Sequence, residues 1–247
     1  MTTTGTDTAN DMDADNQSTH GRLFAVIFTL ILGGIFVGTG EFVSMSLLPD
    51  MARSTGITSP AAGVYISAYA IGVVVGAPVF AVIGARWAQK KLLLIVLGIF
   101  VAGYFASALA IGPASMIVAR FVAGLPHGAY YGVAALIAAS MVPPGRRARA
   151  VGWVILGLAV ANVIGVPAAT WFGQAFGWQA VFAAMAVGGV LTIVLTVLLI
   201  PSVPAESGTS PRAELAGLRN SQMWLTLSVA AVGFAGMFAV YSYITPP

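Results

Sequence analysis

The chain has 247 residues, 58% of them hydrophobic and only 8% charged, with a formal net charge of +3 and no cysteine. Soluble domains carry about 25% charged residues, so a soluble globular fold is excluded. The basic residues gather at the ends of apolar runs, which excludes nucleic acid as a partner, and the missing cysteines exclude a disulfide framework and a thiolate metal site. At about 20 residues per span, the apolar runs give seven transmembrane helices. The fold is all-α, because lipid offers an unpaired backbone group no partner.

In chain order, residues 1–21 are rich in Thr, Asp, Asn and Ser, lack apolar periodicity and read as a disordered tail. A signal peptide is excluded by the acidic start and the length of the first apolar run. The first span, about Leu23 to Leu48, contains Gly33, Gly34, Gly38 and Gly40 and then Glu41, and Pro49 and Asp50 end it. A turn through Arg53, Gly56 and Pro60 leads to the second span, roughly Ala61 to Ala85, with Tyr65, Ser67 and Tyr69 near its start and Gly72 and Gly76 in small-xxx-small spacing. Arg86 to Lys91 is a basic loop. The third span, about Leu92 to Ile111, has only Tyr104 and Ser107 as polar groups and reads as facing lipid or plain packing.

The fourth span, about Ser115 to Met141, holds ARFVAGLPHGAYYG. Its i, i+4 spacing places Arg120, Gly124, Gly128 and Gly132 on one helix face, a backbone groove with one charge on it. A second basic loop, with Arg146, Arg147 and Arg149, follows Pro143 and Pro144. The fifth span, about Ala150 to Phe172, has Gly157, Ala161, Gly165 and Ala169 along one face, with Asn162 and Pro167 beside it. The sixth, about Gln179 to Ile200, is aliphatic. Residues 22–200 thus form a six-helix bundle, residues 201–221 a hinge loop, and residues 222–247 a seventh span with Gly233, Gly236, Tyr241 and Tyr243. Arg22, Arg86, Lys90, Lys91, Arg146, Arg147, Arg149, Arg212 and Arg219 fall on the side of the amino terminus, against Arg53 on the other, so the amino terminus and the hinge are expected in the cytoplasm. Trp87, Trp153, Trp171, Trp178 and Trp224 all fall near span ends, where amphipathic rings prefer to sit.

A guanidinium cannot shed its proton to escape burial, so Arg120 must meet water, a carboxylate or carbonyls. Glu41 lies roughly 10 Å inside the outer end of the first span, and Arg120 roughly 8 Å inside that of the fourth. We expect the two to share one polar cavity, directly paired or water-bridged, in which Glu41 takes up and releases a proton; the alternative is a permanent ion pair that fixes helix register. His127 is a candidate second proton site, or a hydrogen-bonded packing residue. Tyr130 and Tyr131 read as core or cavity lining, Tyr130 with a face for a flat substrate, and Tyr65, Ser67, Tyr69 and Asn162 as further polar groups of the cavity. Gly124, Gly128, Gly132, Gly157 and Gly165 read first as close helix packing, with Pro126 and Pro167 as kinks. No enzyme motif, cofactor-binding loop or paired histidine for a metal is present.

GTGEFVSMSLLPDMA, ISAYAIGVVVGAP, RFVAGLPHGAYYGV, PPGRRARAVG, ANVIGVPAATWFGQAFGWQAVF and GFAGMFAVYSYITP together resemble the major facilitator superfamily, and within it the drug:proton antiporters of the sugar-efflux and chloramphenicol-resistance type. The resemblance covers the chain from Leu23 onward. It implies a transporter of twelve helices in two six-helix bundles, exporting a small molecule across the inner membrane by alternating access, with the proton gradient as its energy source and no cofactor. Arg120 matches the arginine of the family's fourth helix, and Gly165 with Pro167 its fifth-helix antiporter motif, although Val166 splits that motif's Gly-Pro pair and Ala169 and Thr170 replace its later glycines. Ala85 stands where the family places an aspartate after the second helix. Against twelve helices the chain is truncated, so a homodimer or a missing carboxy-terminal bundle must supply the opposite wall. The alternative is a non-transporting remnant, scaffold or regulator of a full-length permease.

Overall fold

The computed structural model describes residues 4–84, 87–202 and 220–244, with side chains described at 21–84, 87–202 and 220–236. Ala85, Arg86, the hinge with Arg212 and Arg219, and the Tyr241 and Tyr243 side chains lie outside the described residues. The helices are α1 (Thr4–Ser46), α2 (Leu48–Thr55), α3 (Ser59–Gly84), α4 (Gln89–Ala108), α5 (Pro113–Gly124), α6 (Pro126–Ser140), α7 (Arg147–Val160), α8 (Val166–Phe176), α9 (Trp178–Leu199) and α10 (Ser221–Ile244). Six stretches are long and apolar enough to cross a membrane: Gly21–Ser46, Ser59–Gly84, Gln89–Ala108, Pro113–Ser140, Pro144–Phe176 and Trp178–Leu199. The chain is a multi-pass, all-α membrane protein, and the seventh expected span corresponds to α10.

Two elements differ from the sequence reading, and the two expected proline kinks take definite forms, each for a local reason. Where an unstructured tail is predicted, the backbone is helical from Thr4; a helix nucleated by the apolar span extends at one hydrogen bond per residue. Pro49 opens a helix as well as closing one. Placed in the first turn of α2, where its missing N–H costs nothing, it starts an amphipathic segment that buries Met51, Ala52 and Thr55 and ends at Gly56, whose φ of 75° suits a residue without a Cβ. The fourth span is two helices, because Pro126 follows Leu125 and interrupts the ladder there. The fifth span is likewise interrupted, by a π-helical turn over Ala161–Gly165 that ends two residues before Pro167. A wide turn of this kind accommodates the carbonyl that a proline leaves without a donor.

Packing sets the first span and the α5–α6 span at the centre: half of the most apolar 18-residue stretch of each is buried, against 28% in α3 and in the span built from α7 and α8. The main contacts run from α4 to α9 and α5, from α3 to α5, and from α1 to both α7 and α9. Lipid offers no hydrophobic drive between helices, so small residues that let backbones touch hold such pairs together. A Cβ on Gly72 or Gly76 of α3 would run into the carbonyls of Phe121 or Leu125, and one on Gly124 into the carbonyl of Tyr69. On the other side, a Cβ on Gly157 would lie 2.7 Å from the Ile31 carbonyl oxygen. Gly128 packs beside Ala77, but Gly132 has nothing within 4 Å and is exposed, so the expected glycine face of the fourth span stops one turn short. Trp178 opens α9, at a span end as expected, but its ring is packed inside the protein: it is 3% exposed, and its indole N–H donates to Ser54 Oγ at 2.9 Å.

Candidate functional site

The α3–α5 contact turns Tyr69 and Arg120 toward one another. Arg120 is 1% exposed, and its guanidinium carbon lies 4.4 Å from the ring centre of Tyr69, 5.3 Å from that of Phe182 and 5.5 Å from that of Tyr104. Its Nε and Nη1 atoms have no hydrogen-bond partner among the described residues. The charge is thus held chiefly by ring faces. Cation–π attraction contributes about 2 kcal/mol per favourable desolvated contact.

Glu41 and Arg120 are not directly paired among the described residues; a longer arrangement lies between them. The Glu41 carboxylate lies 3.3 Å from His127 Nε2, and His127 Nδ1 lies 3.0 Å from the Tyr69 hydroxyl, whose ring underlies Arg120. With an ionised carboxylate, a neutral imidazole carries its proton on Nε2 and accepts from Tyr69 at Nδ1. Protonation makes both nitrogens donors and reverses the Tyr69 bond. Glu41 and His127 keep 19% and 12% of their side chains exposed, so this end of the run reaches the surface of the bundle while Arg120 is sealed. His127 follows Pro126 in the first turn of α6, directly after the break at Leu125.

Other residues from the sequence reading fall elsewhere. Tyr130 is fully buried and donates to the Leu30 carbonyl at 2.7 Å, so its ring is a tie between α6 and α1 and offers no stacking face. Tyr131 donates to the Gly34 carbonyl at 2.7 Å, its ring 5.3 Å from that of His127. Tyr65 is buried and exchanges a 2.7 Å bond with Thr55, fastening α2 to α3. Ser67 is exposed and bonds the Gly63 carbonyl within its own helix. Asn162 lies in the π-helical turn and donates to the Leu158 carbonyl at 2.9 Å. Gly165 packs against Thr39, and Pro167 is exposed at the start of α8.

Tyr104 and Phe182 were not expected here. Tyr104 is fully buried, far from facing lipid, and its hydroxyl fills the space that a Cβ on Gly40 would need, beside Glu41. Phe182 meets it edge-on at 5.8 Å from the nominally aliphatic sixth span. An isolated aromatic residue in an apolar helix gives no periodic signal of the side it faces. Gly40 and Gly103, the small residues that admit Tyr104 and the α5 backbone at Ala123, were the only traces.

The sequence matches the Major Facilitator Superfamily profile over residues 30–246. The chain belongs to this superfamily. It is 38% identical over 220 residues to "Inner membrane transport protein YdhP" of Escherichia coli K12, covering 89% of this chain and 57% of that protein. It is 32% identical over 229 residues to "Chloramphenicol resistance protein" of Streptomyces lividans, covering 89% of this chain and 57% of that one. The chain therefore spans somewhat more than half the length of the curated relatives it matches. The inward-open xylose transporter XylE from E. coli superposes with a TM-score of 0.61 at 16% identity, over 85% of this chain and 54% of XylE, which shows a shared fold.

Proposed function

We propose that this superfamily member takes part in proton-coupled export of a small drug-like or sugar-like molecule across the inner membrane, with the amino terminus in the cytoplasm. The observation that carries the reading is the unbroken run Glu41, His127, Tyr69, Arg120, open at the carboxylate and closed at the guanidinium. Intramembrane ionisable groups are costly and mark ion pathways. Glu41 is the proton acceptor, His127 relays its state to Tyr69, and Arg120 senses Tyr69 through the ring. Alternating access sets two bundles moving about a midplane site; here the opposite wall comes from a carboxy-terminal bundle or a second copy of the chain. Two of the relatives named above support membrane transport, and the printed name of one supports chloramphenicol as a first substrate to try.

The test is proton release from purified protein in weakly buffered detergent on addition of chloramphenicol or a sugar. Release by the natural protein and its loss in Glu41→Gln, with ligand binding retained, is the expected result. Release that survives Glu41→Gln would remove Glu41 from the coupling.

A further inference from the structure

A groove of about 390 Å³ opens between the beginning of the α1 span and the beginning of α7. Phe24, Phe28 and Ile31 line it from α1 and Trp153 from α7, with Arg146 and Arg149 at the end where α7 begins. The three α1 residues are spaced at helical turns, so their wall runs roughly 10 Å along the axis toward the middle of the bilayer. Phe24 is 73% exposed, Phe28 51% and Trp153 45%. Arg146 and Arg149 are exposed, and neither is in an ion pair among the described residues.

These features select an occupant by its chemistry. Free phosphate would satisfy the two guanidinium forks and leave the aromatic walls unused. A neutral lipid would cover the walls and leave the arginines unmatched. An acyl chain joined to an anionic headgroup uses both, with Trp153 placed where an indole prefers to sit, at the boundary between them. We propose that this groove is a binding site for an anionic phospholipid, its headgroup phosphate on Arg146 and Arg149 and one acyl chain along Phe24, Phe28 and Ile31. The site lies apart from the Glu41–Arg120 run and does not depend on the transport reading.

Native mass spectrometry of the full 247-residue chain in detergent, titrated with phosphatidylglycerol or phosphatidylcholine, tests the proposal. The natural protein is expected to retain phosphatidylglycerol about tenfold more tightly than phosphatidylcholine, the preference that two arginines near a lipid headgroup support. Arg146→Gln/Arg149→Gln should lose that preference, and Arg53→Gln, far along the chain at α2, should keep it, with circular dichroism confirming folded protein. Phosphatidylglycerol brominated on an acyl chain should quench tryptophan fluorescence, and Trp153→Phe should remove a large share of that quenching. Equal retention of the two lipids would overturn the site, as would a preference that survives the double substitution or full competition by inorganic phosphate. Quenching unchanged in Trp153→Phe would move the lipid elsewhere, and no retained lipid would leave the groove to a protein surface.

Discussion

Arg120 is an expensive residue to keep where it is. Desolvating a guanidinium costs several kcal/mol, its ring contacts return about 2 kcal/mol at best for each favourable one, and two of its nitrogens find no acceptor among the described residues. A buried charge so imperfectly compensated is replaceable by an apolar side chain of similar length at little or no cost to the fold. Arg120→Met is therefore expected to leave the thermal unfolding temperature unchanged or raise it, while abolishing substrate-induced proton release. A Met variant that unfolds markedly earlier would make Arg120 a structural residue. At this scale the sequence was informative about which groups matter, since Glu41, His127, Tyr69 and Arg120 are polar side chains in apolar surroundings. It was silent on who meets whom. The partner of Glu41 depends on how α1 and α6 pack together, which no local pattern records. Tyr104 and Phe182 carried no polarity or period to separate them from other apolar residues of their spans.

Between helices, contacts made by glycine decide the geometry, and the glycines are not equivalent. Replacing a helical glycine by alanine gains about 1 kcal/mol in helix propensity, whereas forcing a methyl into a closed contact costs about 1–3 kcal/mol. At Gly132 there is no neighbour within 4 Å and only the gain applies. Gly124 faces the Tyr69 carbonyl across the α3–α5 contact, where backbone cannot give way as a flexible side chain can. Gly124→Ala is expected to destabilise the protein by up to about 2 kcal/mol net and Gly132→Ala to stabilise it slightly, as read by thermal unfolding in detergent. The reverse order would mean that the two helices do not meet as described. The first six spans and their approximate limits were legible, because a run of about 20 apolar residues has few other uses. The α2 helix was not, since its turn signals, Pro49 and Gly56, also fit a plain loop. The π-helical turn was legible only as Pro167, because which carbonyls the widened turn re-pairs is settled by packing.

For the whole molecule, the remaining quantity is which end of the bundle faces the cytoplasm. Arg146, Arg147 and Arg149 lie at one end of the fifth span, and Lys90 and Lys91 open the third, where Lys90 also reaches the Val197 carbonyl at the end of α9. Arg53 lies on α2, which joins the far end of the first span to the start of the second, and it is engaged by Asp50. The excess of basic residues at the first end is what supports the proposed orientation, with that end in the cytoplasm. The natural chain has no cysteine, so single cysteines introduced at exposed positions report on topology without background. In intact cells, a membrane-impermeant maleimide is expected to label Arg53→Cys and to leave Arg146→Cys unlabelled until the membrane is permeabilised. Labelling of position 146 in intact cells would invert the molecule. The arginine-lined groove would then sit in the outer leaflet.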